Sequence, residues 1–381
     1  MCEGDAVKVL FLASGLGLGG AETALERLVP ALQARGAHCV VASLRERGVV
    51  GERMAQAGHA VHALGMRPPL PSLRGLLRLR RLVREVQPDV IQGWMYHGNI
   101  AAHAAAWFAP QASVLGAIHQ TLGRPELDPW TTRAVIGLDA RLSRRMARVI
   151  YVAESAVRQH VARGYAADKA CVLPNGFDLA RFTPDASVRR QQRTALGFGD
   201  GDLVFGCVGR YHPVKNQAAF LRAAAIVASR LPQAQFVMVG DGLSPGNAGL
   251  DPLVAHPALH GRVQLLGARD DIPALMTALD ALVLSSLSEG LPNVVAEAMS
   301  CSVPCVVTDV GDAAWMVGET GWIVAPGDVE RLAAGMTAAA TAPESERIAR
   351  GEAARARVAS TLSIDVVADE YLRLYRGLRQ S

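Results

Sequence analysis

Short apolar runs and amphipathic segments alternate along the chain, and this alternation predicts an α/β protein. Residues 7–13 (VKVLFLA) form a nearly continuous apolar run, typical of a strand buried on both faces. A helix is predicted to begin near Ala21, because apolar residues from Leu25 to Leu32 recur at helical spacing. Further strands are predicted at 39–43, 89–92, 113–116, 149–152, 203–209, 235–240, 263–266, 281–284 and 303–307. This order indicates a mostly parallel, doubly wound sheet in each half of the chain.

A change of composition near residues 183–202 divides the chain into two similar halves. The segment is polar and rich in arginine and glycine, as expected of a linker. We therefore predict Rossmann-like domains at 1–182 and 203–362, followed by a helical tail at 363–381. Ligands of open α/β sheets bind outside the carboxyl ends of the strands. Two such sheets that face one another would form a cleft with the strand-end loops of both halves along it.

The composition is that of a folded globular protein without a strong charge bias. The 381 residues are 50% hydrophobic and 19% charged, and the net charge of +4 argues against a nucleic-acid-binding protein. No apolar run approaches the roughly 20 residues that span a bilayer, and residues 9–21 are read as a strand and its loop rather than a signal peptide. Scattered cysteines favour reduced thiols in a cytoplasmic protein. Cys301 and Cys305 have no histidine nearby, so no zinc site is predicted.

The stretch 289–300 (EGLPNVVAEAMS) carries the clearest candidate chemistry. It follows the predicted strand at 281–284, and Pro292 suits the first turn of a helix. The residues predicted to form the buried face of this helix are Val294, Val295, Ala298 and Met299. The amides of its first turn, near Asn293, form a natural anion site that Glu289 and Glu297 flank. These groups suit a ligand with both phosphates and hydroxyls, such as a sugar nucleotide.

The loop at 209–216 (GRYHPVKN) follows the first predicted strand of the second half and precedes a helix. Arg210 and Lys215 can grip a diphosphate from two directions, because a guanidinium offers a fork of donors and an ammonium a compact charge. A solvated basic loop is the alternative, and the position directly after a central strand argues against it.

Residues 15–20 (GLGLGG) fit the glycine pattern of a dinucleotide-binding loop between a strand and a helix. Such a loop usually has an acidic residue at the end of the second strand, but the first one in this chain, Glu46, lies three residues beyond the predicted strand at 39–43. Contact of the glycine backbone with a phosphate-bearing ligand is favoured; nicotinamide dinucleotide binding and a purely structural turn stay open. Glu22 is expected to support the helix start rather than to perform chemistry.

Three further strand ends carry candidate residues, each with a structural alternative. The run 240–242 (GDG) is either a tight turn or a loop that lines a nucleotide site. Residues 267–273 can hold a nucleobase through Ile272 and the loop backbone, or form a helix start capped by Asp271. For His119, just beyond the strand at 113–116, a structural role and a site role are equally open.

Two arginine-rich segments stand outside these loops. Residues 73–86 combine apolar residues at helical spacing with five arginines, and four more arginines lie between 141 and 148. A solvated helix face is the default interpretation. The more specific alternative is that these segments, above all 73–86, dock onto an anionic membrane surface.

Taken together, the motifs resemble those of the retaining family 4 glycosyltransferases, which have the two-domain GT-B fold. The resemblance covers nearly the whole chain and rests on GGAE at 19–22, PNGFD at 174–178, the loop at 209–216, EGLPNVVAE at 289–297 and PCVVTDVG at 304–311. It implies two doubly wound domains that face each other across a cleft. It also implies that the first domain lies on the acceptor side, that the second binds the nucleotide sugar, and that a helix at about 364–379 crosses back onto the first.

The resemblance also implies individual roles. Arg210 and Lys215 would hold the donor diphosphate, Glu289 would contact sugar hydroxyls, and His119 would face the transferred sugar. Glu297 would contact the ribose. The groups predicted to act in catalysis are Arg210, Lys215, Glu289 and His119. The residues predicted to bind the donor are Gly19, Gly20, Gly209, Asn216, Gly240, Asp241, Gly242, Arg269, Ile272, Gly290, Leu291, Pro292, Asn293, Val294 and Glu297.

The chain departs from the family at two positions. Ser302 and Asp312 stand where the family usually has glycine. Neither is a proposed chemical group, so the departures concern local backbone geometry.

The resulting hypothesis is transfer of a sugar, with retention, from a nucleoside diphosphate to an acceptor hydroxyl, without a cofactor. No Asp-x-Asp cluster accompanies the loops, so no essential metal is predicted. The likeness and the basic helices favour a lipid-linked saccharide of surface polysaccharide synthesis as acceptor, and a cytoplasmic enzyme at the inner face of the plasma membrane. A sugar-nucleotide epimerase or hydrolase, a nicotinamide-dependent oxidoreductase and a non-catalytic carbohydrate-binding protein are the alternatives.

Overall fold

A computed structural model describes residues 6–66, 72–122 and 129–379, which form two compact units. Unit 1 contains the chain up to Gly176 and again from Ile364, and unit 2 contains Phe177–Ser363. Each unit is built on one parallel sheet, so the prediction of two doubly wound, Rossmann-like domains is confirmed. No helix in the described ranges is long and apolar enough to cross a membrane.

The sheet of unit 1 has seven parallel strands in the order β3-β2-β1-β4-β5-β6-β7. Its strands are β1 (Lys8–Ala13), β2 (His38–Ser43), β3 (Ala60–Ala63), β4 (Val90–Trp94), β5 (Ser113–Ile118), β6 (Arg148–Tyr151) and β7 (Ala170–Val172). Its helices are α1 (Gly20–Ala34), α2 (Gly48–Gln56), α3 (Leu73–Val86), α4 (Met95–Ala106), α5 (Trp130–Ser143), α6 (Glu154–Val161) and α15 (Ile364–Arg379).

Alternate residues of β1 enter two separate cores, because successive side chains of a strand point to opposite faces. Val9 and Phe11 pack in a core with α1, α2 and α15. Leu10 and Leu12 pack in a second core with α3 and α4. The apolar run at 7–13 therefore reflects burial on both faces.

The sheet of unit 2 has six parallel strands in the order β10-β9-β8-β11-β12-β13. Its strands are β8 (Leu203–Val208), β9 (Ala234–Val239), β10 (Val263–Leu265), β11 (Ala281–Leu284), β12 (Cys305–Thr308) and β13 (Trp322–Val324). Its helices are α7 (Ala186–Ala195), α8 (Gln217–Arg230), α9 (Asp251–Val254), α10 (Ile272–Ala278), α11 (Asn293–Ser300), α12 (Ala313–Val317), α13 (Val329–Thr341) and α14 (Glu344–Thr361).

The segment expected to be a linker, residues 183–202, is instead part of unit 2. It contains α7, whose Arg189 and Arg193 bind the carboxylate of Asp280 at 2.6 and 3.0 Å. Residues 177–182 also belong to unit 2 rather than to the first domain, because Phe177 N–H donates to the carbonyl of Leu362 at 2.8 Å. The boundaries therefore lie at Gly176 and at Ile364.

Helix α15 completes unit 1. Tyr371 and Tyr375 lie in the core around β1, and the hydroxyl of Tyr375 bonds to Oε1 of Gln92 at 2.5 Å. Arg35, which follows α1, binds Asp365 at 2.7 Å and Asp369 at 2.6 Å. Buried aromatic rings and paired charges thus fix the helix on the unit that contains β1.

Candidate functional site

The strand order of the second sheet reverses between β8 and β11. From β8 the chain proceeds outward through β9 and β10, whereas β11, β12 and β13 extend the other side. Ligands of open sheets bind outside the carboxyl ends of the strands at such a reversal. The two loops with the strongest candidate chemistry, 209–216 and 285–292, follow these two strands.

Lys215 and Glu289 form an ion pair across this reversal. The Nζ of Lys215 lies 2.7 Å from Oε1 of Glu289, which also accepts a hydrogen bond from the Ser286 hydroxyl at 2.6 Å. Both side chains are shielded, with exposed fractions of 28% and 12%. The Ser285 hydroxyl donates to the carbonyl of Lys215, and the N–H of Leu287 to that of Val214, so the two loops are tied together. Lys215, predicted to bind the diphosphate, and Glu289, predicted to bind sugar hydroxyls, are thus held in contact.

Helix α11 begins directly after this pair. Pro292 is the residue before its first helical position, Asn293, so the first-turn amides point toward the loop that carries Glu289. The predicted buried face is wrong at one position, since Val294 is only partly buried and Ala296 is buried in its place. Glu297 lies one turn further along and is partly buried.

Glycines permit close packing of the strand-end loops. A Cβ at Gly311 would collide with the carbonyl oxygens of Glu289 and Gly290, and one at Gly240 with that of Gly209. Both glycines have positive φ, at 58° and 148°. Asp312 N–H donates to the Gly290 carbonyl at 2.9 Å, so the loop after β12 holds Glu289 in place.

The loops after β8, β9 and β10 are joined by backbone hydrogen bonds. Gly209 N–H donates to Val239 and Gly240 N–H to Gly267, both at 2.8 Å. Asp241 and Gly242 are exposed at this edge, and the carbonyl of Asp241 accepts from Tyr211 N–H at 2.6 Å. The run 240–242 is therefore a turn beside the candidate site, compatible with both of its interpretations.

Arg210 and Asn216 were also predicted to lie in this site. Arg210 is exposed, and its side chain has no ion pair or hydrogen bond within the described ranges. Asn216 adopts a left-handed conformation, with φ 50°, just before α8.

Arg269 is already engaged within its own loop. It donates two hydrogen bonds, of 2.7 and 2.6 Å, to the carboxylate of Asp271. The guanidinium lowers the pKa of Asp271. Of the two alternatives for this loop, side-chain capping of α10 by Asp271 is not observed, because this carboxylate binds Arg269 instead. Ile272 is the first residue of α10 and is partly buried.

The two departures from the family pattern differ in their effect. Ser302 has φ 58° in the turn after α11, a left-handed conformation that favours glycine. Asp312 has φ −106° and precedes α12, so its backbone does not require glycine.

In unit 1 the strand order reverses between β1 and β4. The glycine loop follows β1, and Gly20 begins α1 after an extended Gly19. The side chain of Glu22 folds over Gly19, and burial raises the pKa of its carboxyl group. The indole N–H of Trp94, at the end of β4, donates to the carbonyl of Ala21 at 2.9 Å, which joins the two sides of the reversal.

His119 lies beside this junction, just after β5. Its ring stacks on Trp94 with centroids 4.0 Å apart, and its Nδ1 lies 3.1 Å from Oδ1 of Asn175. Burial lowers the pKa of His119 to about 4. No site role was predicted from the sequence for Trp94, Asn175 or Ser286. The available signal was their position, since Trp94 ends β4 and the other two closely follow β7 and β11.

A buried polar network supports the end of β5. The side-chain oxygen of Asn99 accepts from Ala117 N–H at 3.0 Å, and its amide donates to Oδ2 of Asp139 at 2.9 Å. The hydroxyl of Tyr165 donates to the same oxygen at 2.8 Å. Burial raises the pKa of Asp139 to about 6, against the two hydrogen bonds.

Two family models match the chain. One described as Glycosyltransferase Family 4 matches residues 18–181, and one described as Glycosyl transferases group 1 matches residues 202–341. They cover most of both units and nearly all of the candidate loops.

Individual relatives agree with the family models. A UDP-Gal:alpha-D-GlcNAc-diphosphoundecaprenol alpha-1,3-galactosyltransferase of Escherichia coli is 37% identical over 144 residues, which are 37% of each chain. A D-inositol 3-phosphate glycosyltransferase of Rhodococcus erythropolis is 33% identical over 214 residues, 54% of this chain and 48% of that protein. The chain thus matches half or less of the length of these curated relatives.

A solved structure shares the fold over nearly the whole chain. The crystal structure of Anabaena HepE in complex with UDP has a TM-score of 0.85, at 24% identity, and covers 97% of this chain and 100% of that one. With one family model matched in each unit and this fold in common, the chain belongs to the family 4, group 1 glycosyltransferases, which have the GT-B fold.

Proposed function

We propose that the protein is a retaining glycosyltransferase that moves a sugar from a nucleoside diphosphate to an acceptor hydroxyl. The observation that supports this most directly is the Lys215–Glu289 ion pair at the strand-order reversal of unit 2. It offers a cation for phosphate and a carboxylate for sugar hydroxyls at the place where open sheets bind ligands.

Charge on the departing diphosphate is the central chemical problem of this reaction. As the glycosidic bond breaks, Lys215, Arg210 and the first-turn amides of α11 stabilise the negative charge that develops on the phosphate oxygens. The acceptor oxygen forms its bond to the anomeric carbon on the face from which the diphosphate departs, and a diphosphate oxygen takes the acceptor proton. Retention by this front-face route requires neither Glu289 nor Glu297 as nucleophile. We expect no essential metal, because no Asp-x-Asp cluster accompanies the loops.

The remaining predicted residues surround the donor. Glu297 binds the ribose, and Ile272 with the loop that carries Arg269 contacts the base. The Gly19–Gly20 backbone approaches the phosphates. We propose uridine as the nucleoside, because the Escherichia coli relative is named for a UDP sugar and the HepE structure contains UDP.

We propose a lipid-linked saccharide as acceptor and a location at the cytoplasmic face of the membrane. The Escherichia coli relative is named for a diphosphoundecaprenol acceptor. Helix α3 exposes Leu73 and Leu77 beside its arginines, and α5 exposes Trp130 and Leu138. Both helices pack on α4. Apolar side chains among arginines suit an anionic lipid surface.

The distribution of charge supports the same partner. Residues 72–86 and 129–148 each contain five arginines and one acidic residue, a formal charge of +4 for each segment. The whole chain carries only +4, so the remainder is net acidic. The positive charge is therefore concentrated on α3, α5 and the residues that follow α5.

A donor screen tests the proposed function. The full chain is incubated with UDP-, GDP- and ADP-sugars, with and without a lipid-linked saccharide acceptor, and products are followed by mass spectrometry. We expect release of the nucleoside diphosphate and an acceptor one sugar heavier. A new sugar nucleotide or free sugar from donor alone would favour an epimerase or hydrolase, and binding without turnover a carbohydrate-binding protein.

A further inference from the structure

A cavity of about 540 Å³ lies between helix α5 and the turn that follows α6. Both helices end here, just before β6 and β7, so the cavity lies toward the edge of the sheet at which the strands begin. The glycine loop and the other strand-end loops of unit 1 lie at the opposite edge. The residues of the lining that matter for its chemistry are Gly137, Arg141, Arg144, Arg163 and Gly164.

The charged residues that line this cavity are all arginines. Gly137, Arg141 and Arg144 follow each other at i, i+4 and i+7 and therefore share one face of the helix and its end. The three arginines are exposed, and in the part of the chain that the structure describes none of their guanidinium groups has an ion pair or a side-chain hydrogen bond. No acidic residue within the described ranges lines the cavity.

The turn that carries Arg163 is fixed to α5 by two hydrogen bonds. The hydroxyl of Tyr165 donates to Oδ2 of Asp139 at 2.8 Å, and the N–H of Ala166 donates to the hydroxyl oxygen of Ser143 at 3.0 Å. Asp139 and Ser143 are fully buried on α5. Arg163 is thus held opposite α5 before any ligand binds.

Stabilisation of the two helix ends is the simpler explanation of the arginines. Each helix C-terminus carries about half a negative charge, and basic side chains are favourable there. The two ends therefore account for about one of the three positive charges, and about two remain uncompensated. A terminal phosphate group carries a charge of about −1.5 to −2 at neutral pH, and its three oxygens accept hydrogen bonds from guanidinium groups.

We propose that this cavity binds a terminal phosphate group through Arg141, Arg144 and Arg163. Gly137 and Gly164 leave room for it, because a Cβ at either position would meet no side chain of a more distant residue within 4 Å. The site is additional to the donor site of the proposed function and does not depend on sugar transfer.

Two sources offer this chemistry, namely the headgroup of a membrane lipid such as phosphatidic acid and a soluble phosphate ester. Leu138 at the cavity and Trp130 earlier on α5 are exposed, at 45% and 77%. Apolar side chains beside arginines favour the lipid. Only this choice of source rests on the membrane contact of the proposed function.

Calorimetric titration of the full chain with inorganic phosphate at low ionic strength tests the site. Arg144→Gln and Arg163→Gln should each raise the Kd by about tenfold, because each removes charge-assisted hydrogen bonds. Arg222→Gln, at an exposed position of α8, should leave it unchanged. The binding should also persist in Lys215→Ala, which separates this site from the proposed donor site. The same Kd in the wild type and in both cavity variants would overturn the proposal.

Gly137→Glu fills the cavity without removing an arginine. The new carboxylate is four residues before Arg141, a favourable spacing for an ion pair, and loss of a helical glycine should make the variant at least as stable as the wild type. We expect the Kd for phosphate to rise by about tenfold or more, and to rise less in Gly137→Gln. Gly201→Glu, an exposed glycine of unit 2, makes the same change of net charge and should bind normally. Normal binding by Gly137→Glu would show that the phosphate lies elsewhere.

Vesicle flotation identifies the source of the phosphate. Phosphatidylcholine vesicles contain either phosphatidic acid or phosphatidylglycerol, in amounts that give equal surface charge. A lipid ligand predicts preference for phosphatidic acid, lost in Gly137→Glu and kept in Gly201→Glu. Equal flotation on both vesicles, with phosphate bound in the calorimeter, would assign a soluble phosphate ester and refute the lipid. Neither binding nor preference would refute the site, whatever the protein transfers.

Discussion

The Nζ of Lys215 lies 2.7 Å from Oε1 of Glu289, and the two residues belong to loops that follow neighbouring strands β8 and β11. The pair keeps a cation and a carboxylate in place before any ligand is bound. A diphosphate that binds Lys215 must compete with Glu289, and the carboxylate then becomes available to sugar hydroxyls. Donor binding is thus expected to replace the Lys215–Glu289 ion pair by two contacts, one between Lys215 and the diphosphate and one between Glu289 and the sugar.

Replacement of Lys215 by alanine should reduce kcat by about 10²–10³-fold, because the departing diphosphate loses a stabilising charge. Steady-state transfer assays measure the effect, and thermal unfolding checks that the fold is retained. Arg222→Ala, which removes an exposed cation from α8, is the matched control and should be neutral. Near-normal turnover of Lys215→Ala would remove its role at the diphosphate.

Replacement of Glu289 by alanine should impair use of the sugar more than binding of the free nucleotide. The carboxylate is lost, but Lys215 is released from its ion pair, so the Kd for the nucleoside diphosphate should stay constant or fall. Calorimetric titration and kcat are compared with those of Glu330→Ala, an exposed control on α13. Equal losses in both measurements would reassign Glu289 to nucleotide binding.

The sequence predicted most strands and the loops of the candidate site, because apolar runs that end in glycine mark the carboxyl ends of buried strands. The strands it missed are β3, β7 and β13, which lie at sheet edges and bury few side chains. Helix α7 was missed because Arg193, rather than an apolar stripe, forms its buried contact.

Pairings between distant residues could not be predicted in the same way. Lys215 and Glu289 are 74 residues apart, and they meet only because β8 and β11 are neighbours in the sheet. His119 and Asn175 are 56 residues apart, with no local pattern that joins them. The resemblance to a family supplied candidate roles, but not these contacts.

Substitution of Ser302 by glycine should stabilise unit 2 by about 1 kcal/mol, because the left-handed conformation at φ 58° is unfavourable for a residue with a Cβ. Chemical denaturation measures the change. Ser229→Gly, in the last turn of α8, is the control and should destabilise by at most about 0.5 kcal/mol, because its backbone is helical and glycine has the lower helix propensity. A destabilising effect of Ser302→Gly would show that the serine side chain outweighs the backbone strain.

Asp139 should make stability depend on pH in a direction opposite to that of a salt-bridged carboxylate. Its pKa is raised from 3.8 to about 6 in the folded protein, so the folded state binds more protons between these values. The contribution of Asp139 to the free energy of unfolding therefore falls as the pH rises through this range, and it is constant above the range. The cost of the buried carboxylate is then roughly 3 kcal/mol.

Asp139→Asn removes this titration. The free energy of unfolding of the variant, relative to the wild type, should improve between pH 4.5 and pH 7.5. His160 and His119, whose pKa values are lowered to about 4, act in the other direction in both proteins and cancel in the difference. A difference that does not change with pH would mean that Asp139 titrates normally.

Neutralising the exposed face of α3 should weaken binding to anionic vesicles. Each arginine near such a surface contributes about 1 kcal/mol, so the triple substitution of Arg78, Arg81 and Arg84 by glutamine should lower partitioning about 100-fold. Flotation on phosphatidylglycerol vesicles measures it. The charge-matched control replaces exposed cations of unit 2, namely Arg222, Arg230 and Arg331. Equal flotation of both variants would leave α3 a solvated face.

The location of α15 has a consequence for synthesis on the ribosome. All residues of unit 2 are translated before α15, so that unit can reach its native state while the core around β1 still lacks Tyr371 and Tyr375. Unit 1 is thus begun first and completed last, and until then its β1–β7 region has an uncovered apolar face. Unit 1 is therefore expected to need protection from aggregation until α15 has left the ribosome.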